Sequence, residues 1–512
     1  MQLSLALIIF IFATTHCKTN IILPIRLRRT ENEALFAASF PNSAKMAVSN
    51  LAGLPGMGYY LPVTLGNPPQ ELNLLVDTGS ADLAVAGRKL ANVDRWFNAS
   101  ASSTLECSGF SKQVRYQQGS WIGPLCKDRL TLVLRNMSHN QSITRLPPVP
   151  IHFSLIEDAQ NFFLSHYGST WEGIIGLGYP KLMMDNIPSR QNQVEQVLSH
   201  SPWIRVLWKL FEQTPEQLHP FETLTSAWNL PNMFSLLLCG LTQQSFSVIG
   251  SSPVEMNGLL LIGGMNLTGM TQTVNTILYT PVREPWFYEV VLTDLRVEEQ
   301  SVVEDCKELN VEFSIVDSGT TNIQVPERVF QPLLGHIKTY VAKQSSSTAT
   351  MLQNYASFWA GASMLCEASS DNQIGGASGL PHTLFPVIEF QMLALGADMN
   401  KEALSLTLSP QQYIRFVGRH PKDGVMRDCF AFGIRPHHSG TILGAVFLEG
   451  FFTVFHRNSL KVGAAKLFNL HQPHFNTKMD AFETNLFTCT FNCVHTIEKG
   501  FDASSKGRVC DQ

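Results

Sequence analysis

Two short segments of the 512-residue chain place an acidic side chain where acid–base chemistry is expected. In "NLLVDTGSADLAVAG" (73–87), Asp77 follows the apolar run Leu74-Leu75-Val76 and precedes Thr78, Gly79 and Ser80. "FSIVDSGTTNIQVP" (313–326) repeats the arrangement around Asp317. A carboxylate at the end of a buried strand is costly unless hydrogen bonds or chemistry account for it. One D-T-G-S in a β-turn is usually an Asx-turn closed by its own side chain. Two copies are different, because each is followed later by apolar residues and glycine: "EGIIGLG" (172–178) and "GTILGAVF" (440–447). Such a long, twofold repeat indicates two similar lobes, not a solenoid.

If the lobes meet at a pseudo-two-fold axis, the two carboxyls lie within hydrogen-bonding reach. Like charges that close cannot both ionise cheaply, so the pair holds one proton over a wide pH range. The charged member then takes a proton from a shared water, while the protonated member hydrogen-bonds to a carbonyl. That chemistry gives a neutral gem-diol without a covalent intermediate. Gly79 and Gly319 let backbone N–H groups approach the carboxylates, and glycine alone avoids a Cβ clash there. Ser80 and Thr320 are placed to donate hydroxyl hydrogen bonds to the outer carboxylate oxygens.

The elements that must position these loops are mainly strands. From "GMGYYLPVTLGNPPQELNLLVDTG" onward, short runs of Val, Ile, Leu, Phe, Tyr and Thr are punctuated by Gly, Pro and Asn, a hairpin-rich pattern. "LGNPPQE" (65–71) is a turn between alternating strands, since Pro68 and Pro69 cannot continue a ladder. Helices are predicted at 191–200 and at 326–344, the second with Pro326 at its start.

With 44% apolar and 15% charged residues, the chain reads as globular and long enough for two lobes. A formal charge of −4 gives no reason to expect nucleic acid. Residues 1–17, "MQLSLALIIFIFATTHC", read as a secretory signal, although the n-region lacks Lys and Arg. Arg26-Leu27-Arg28-Arg29 is either a solvated basic loop or a processing site, within a pro-segment spanning 18–45. Beyond Cys17, nine cysteines remain, none in a C-x-x-C pair, which favours disulfides over metal. "CTFNCVH" (489–495) lacks a fourth ligand at suitable spacing, so neither a metal nor any other cofactor is expected. Asn98, Asn136, Asn140 and Asn266 begin glycosylation sequons. No run of about eighteen apolar residues occurs, so the chain as given is expected to be soluble, either lumenal or secreted.

These residues together resemble a pepsin-fold aspartic protease, specifically the beta-secretase (memapsin) branch, from "GYYLPVTLGNPPQ" at 58 to Cys493. "DTGSADLAV" lacks the Trp that most pepsins place after the first aspartate loop, and "VRYQQGSW" (114–121) resembles the flap hairpin. "STWEGIIGLGY", "WFYEVVLTDLRV", "DSGTTN" and "LSPQQYIR" also resemble that branch. The resemblance implies an all-β, two-lobed fold with a substrate cleft between lobes. It implies an N-terminal lobe over 46–230 and a C-terminal lobe over 231–480; the tail over 481–512 departs from it, carrying no transmembrane helix where members of that branch usually have an anchor. Asp77 and Asp317 would be catalytic. Gly79, Tyr116, Gln118, Gly319, Thr320 and Thr321 would contact the peptide, with Ser80 and Trp121 in support. The expected activity is endopeptidase cleavage of extended protein or peptide substrates, membrane-protein ectodomains among them, by a monomeric zymogen of the secretory pathway or endosomal lumen.

The resemblance also implies pairs Cys366–Cys429 and Cys306–Cys493. Cys239 lacks its usual partner, because Ala465 stands there; either Cys489 replaces it or Cys239 is free. Cys107 and Cys126 flank the flap and could form an extra bridge, and Cys510 is left over. Gln324 stands where the branch has an arginine near the cleft, which puts a preference for acidic residues in doubt. Residues 188–228 form an insertion. Two rival readings are a general pepsin- or cathepsin D-like protease, against which the missing Trp and the C-lobe cysteines argue, and a catalytically silent binding homologue.

Overall fold

The computed structural model describes residues 47–54, 58–117, 119–135, 143–163, 171–185, 219–238, 258–265, 277–344, 347–368, 382–395, 403–422 and 425–466. The expected leader, pro-segment and tail, most of the insertion and the helix expected at 191–200 lie outside them. So do Gln118, Asn136, Asn140, Asn266, Cys239, Cys489, Cys493 and Cys510.

Alternation in the sequence becomes alternation in burial. The strand Gly58–Leu65 buries Tyr59, Leu61, Val63 and Leu65, while Tyr60 and Pro62 are half-buried. Its hairpin partner Gln70–Asp77 buries Leu72, Leu74 and Val76. Each such Leu or Val contributes roughly 1.5–3 kcal/mol by leaving water. The turn between them carries Gly66 at φ 89° and a cis Asn67–Pro68 peptide, as the double proline requires a break in the ladder.

The strand Ala47–Leu54 joins the two halves of the chain. Its first part pairs with Gly258–Ile262 and its last with Gly58–Leu65, within one fifteen-stranded sheet.

Each aspartate loop sits in the same local topology, which is the physical content of the repeat. Gln70–Asp77 runs parallel to Gly173–Gly176, with Asp77 opposite Gly176, and Gly173–Gly176 pairs antiparallel with Leu83–Ala86. In the second half, Ser314–Val316 runs parallel to Thr441–Leu443, which pairs antiparallel with Ile323–Pro326. A further parallel strand follows in both: Val149–Ile156 beside Leu83–Ala86, and Ile434–His437 beside Ile323–Pro326. The fold is thus the expected all-β, two-lobed pepsin-like one.

The helix expected at 326–344 forms over Glu327–Ala342, with Pro326 at its N-cap, and buries Val329, Phe330, Leu333, Leu334, Ile337 and Val341 on one face. Cys366–Cys429 and Cys107–Cys126 are bonded, the latter bridging opposed residues of a hairpin. Cys306 is disulfide-bonded as well; its expected partner, Cys493, is outside the described residues. No helix among the described residues is long and apolar enough to cross a membrane.

Candidate active site

Asp77 and Asp317 are both buried, at 5% and 9% exposure, although no cation among the described residues pairs with either. Each is held first by its own loop. Gly79 N–H donates to Asp77 Oδ1 at 2.8 Å, and Gly319 N–H donates to Asp317 Oδ1 at 2.8 Å. The backbone of each is tied to the later glycine segment: Leu177 N–H donates to Asp77 O at 2.7 Å, and Asp317 N–H donates to Leu443 O at 3.1 Å.

The two loops interlock. A Cβ on Gly319 would fall 2.3 Å from Asp77 Oδ1 and 3.2 Å from Asp317 Oδ1, so both oxygens converge on one small region. A Cβ on Gly79 would fall 2.5 Å from Asp317 Oδ1. Real Cβ atoms do not approach oxygens that closely, so each loop needs glycine because the other lobe's aspartate occupies the space. The sequence reading expected glycine for N–H approach and to avoid a Cβ clash; the structure adds that the clash is with the other loop's aspartate.

Two residues that the sequence reading passed over brace the pair. Thr78 Oγ1 donates to Val316 O at 2.9 Å, and Ser318 Oγ donates to Val76 O at 2.7 Å. Each hydroxyl reaches the strand that carries the opposite aspartate. Their signal was the hydroxyl residue directly after each Asp, legible once the two loops are superposed.

The electrostatics are asymmetric. Thr320 Oγ1 donates to Asp317 Oδ2 at 2.6 Å, as expected. Ser80 lies near Asp77 and pulls its pKa down, but its Oγ closes no hydrogen bond within ordinary range. Burial, then the neighbouring Asp317 charge, push the Asp77 carboxyl well above the usual range.

A hairpin of Glu106–Arg115 and Ser120–Arg135 carries Tyr116 near its tip, where Tyr116 N–H donates to Gly119 O at 2.9 Å. Buried Trp121 donates from Nε1 to Tyr116 Oη at 3.2 Å, and Phe162 stacks on the Tyr116 ring at 5.3 Å. The phenol is pushed well up by burial, then by the Asp82 and Asp77 charges, so it faces the first aspartate loop. Thr321 supplies its backbone carbonyl to Val446 N–H at 3.0 Å. Gln324 is half-buried and in register with Arg435 of the neighbouring strand. Arg435 Nη2 donates to Gly361 O at 3.2 Å.

Asn98 is exposed and caps a short turn, with Ser100 Oγ of its sequon donating to Asn98 Oδ1 at 2.8 Å. Among the described residues, no cluster of three or more His, Cys, Asp or Glu could hold a metal.

Two aspartate loops of matching topology, interlocked beneath a hairpin, define an aspartic hydrolase site. The family comparison agrees: the chain belongs to the eukaryotic aspartyl protease family, whose model matches residues 58–203 and 221–467. It is thus an aspartic endopeptidase of the pepsin family. It is 34% identical over 427 residues to a beta-secretase of Strongylocentrotus purpuratus, covering 82% of this chain and 68% of that protein. Similarity to pepsins is lower. Identity is 25% to embryonic pepsinogen of Gallus gallus, covering 57% of this chain and 61% of that one. It is 22% to pepsin A of Canis lupus familiaris, covering 82% and 84%.

Proposed function

We propose that Asp77 and Asp317 activate one water between them to hydrolyse a peptide bond held in the cleft under the hairpin. The observation that carries this reading is the reciprocal approach of each aspartate to the glycine of the other loop. Asp317 accepts from both Gly319 N–H and Thr320 Oγ1–H, whereas Asp77 accepts from Gly79 N–H without a closed bond from Ser80. The negative charge is better supported on Asp317, so the pair's single proton resides on Asp77. Asp317 then takes one proton of the attacking water while Asp77 passes its own proton to the substrate carbonyl oxygen. On collapse of the neutral gem-diol, a gem-diol proton returns to Asp77 and the proton held by Asp317 goes to the leaving amine.

Tyr116 and Trp121 act through the hairpin, which excludes water and supplies edges to an extended peptide. Gly79, Gly319, Thr320 and Thr321 line the peptide's path, and Gln118 belongs to the same tip by sequence. The substrate class is protein ectodomains or peptides in a secretory or endosomal lumen. The signal-like first 17 residues, the basic cluster ending at Arg29 and the sequons support that compartment and a zymogen.

The higher identity to a beta-secretase than to pepsins favours a beta-secretase-like specificity over a general digestive one. Cleavage of a peptide library at about pH 4–5, where the pair carries one proton, tests this. A narrow profile at defined side chains supports it, and broad cleavage between large apolar residues supports the pepsin-like alternative. Tight binding of a hydroxyethylene peptide inhibitor without turnover of any peptide would favour a silent binding homologue.

A further inference from the structure

The hairpin over the aspartates is also held at its tip. Gln117, otherwise exposed, places its side-chain amide Nε2 2.8 Å from Nε2 of His437, a residue 320 positions away in the second lobe. His437 is buried, with its ring 5.9 Å from that of Phe313 and 4.3 Å from that of His438. Its Nδ1 lies 3.1 Å from Gly440 O. Ser439 N–H lies 3.3 Å from the same Nδ1, so the tautomer sets the roles: with Nδ1–H donating to Gly440 O, Nε2 accepts from the Gln117 amide N–H, and with Nδ1 accepting from Ser439, Nε2–H donates to the Gln117 amide oxygen. The ring is thus fixed from behind and aimed across the cleft.

His437 ends the strand Ile434–His437, and the turn after it leads into Thr441–Leu443, whose Leu443 O accepts the Asp317 N–H. Thr441 opposes Ser314, three residues before Asp317. The side-chain bridge thus joins the hairpin that carries Tyr116 to the half of the chain that carries Asp317.

We propose that Gln117 and His437 form a latch that closes the hairpin over the cleft, opens to admit an extended peptide sideways, and re-forms above it. His437 is then a positioning residue, acting through the hairpin and not on the reacting atoms. The proposal rests on the reading of Asp77 and Asp317 as the dyad beneath that hairpin. A latch of this kind sets the rates of entry and exit more than the equilibrium between them, because both need the same bridge broken.

The test is stopped-flow binding of a hydroxyethylene peptide inhibitor to the mature enzyme and to Gln117→Ala, His437→Ala, the double variant and His437→Gln. One hydrogen bond of ordinary net strength predicts association and dissociation each faster by about three- to tenfold in either alanine variant. The double variant should be no faster than the singles, and His437→Gln, which restores an acceptor, should return toward wild type. Rates unchanged by both alanine substitutions, or accelerations that multiply in the double variant, would overturn the latch. Gln117→Ala, at an exposed tip, keeps the test decisive if His437→Ala fails to fold. Failure of the wild-type enzyme to bind the inhibitor at all would instead overturn the dyad reading, and the latch with it.

Discussion

Thr78 and Ser318 hold each other's loops: Ser318 N–H donates to Thr78 Oγ1 at 2.9 Å, and Thr78 N–H donates to Ser318 Oγ at 3.1 Å. Both hydroxyls also reach across to the opposite strand, so the aspartates are positioned by the other half of the chain as much as by their own. Thr78→Val keeps the shape but leaves the buried Ser318 N–H and Val316 C=O without partners. We expect a loss of about 1–3 kcal/mol in urea unfolding, with a fall in kcat, while Thr78→Ser stays close to wild type. Equal stability of the Val and Ser variants would show that the brace contributes nothing.

Gly319→Ala probes the approach of the lobes directly. The added Cβ would meet Asp77 Oδ1 at 2.3 Å, so the carboxyl or the loop must shift. A displacement of about 1 Å at the reacting groups costs on the order of 100-fold in rate. Peptide hydrolysis should fall by about that factor while the folded state, checked by near-UV circular dichroism, persists. Unimpaired kcat would place the two loops farther apart than described.

Two buried glutamates predict opposite pH dependences of stability. Burial raises Glu449, which accepts from Tyr59 Oη at 2.6 Å, to about 7. A raised carboxyl contributes stability that is fully present below its unfolded value, about 4.3, and lost as pH rises through about 7. Glu449→Gln should therefore remove that decline, gaining on wild type by roughly 3 kcal/mol above pH ~8 and matching it near pH ~4. Glu222 is the reverse case. Burial would raise it, but the His219 hydrogen bond and charge, followed by the Arg457 charge and hydrogen bond, bring it to about 2. Its contribution is present above about 4.3 and lost as pH falls through about 2, so it survives at mildly acidic pH. Glu222→Gln should destabilise at neutral pH, with the difference closing toward pH ~2. Denaturant midpoints across a pH series check both; parallel curves for variant and wild type would contradict them.

Much of this architecture was legible along the chain because it is local. The period-two burial of Leu72, Leu74 and Val76 was readable, as were the double-proline turn, the helix after Pro326 and the duplicated aspartate loops. What was not legible depends on partners hundreds of residues away. Nothing near Thr78 says that its hydroxyl will reach Val316, and nothing in "RPHHSG" (435–440) says that His437 will meet a hairpin tip. The reason for glycine at 79 and 319 was half legible: a Cβ clash near the carboxylates was expected, whereas its source, the aspartate of the opposite loop, was not.

The pH–rate profile of wild type beside Asp77→Asn and Asp317→Asn tests the central claim most directly. If the pair shares one proton, wild-type kcat/KM on a peptide follows a bell whose limbs belong to the dyad. Both folded variants should lose on the order of 1,000-fold or more, and the residual rate should lose the bell. Hydrolysis within about tenfold of wild type by either folded variant, with the bell intact, would contradict the account.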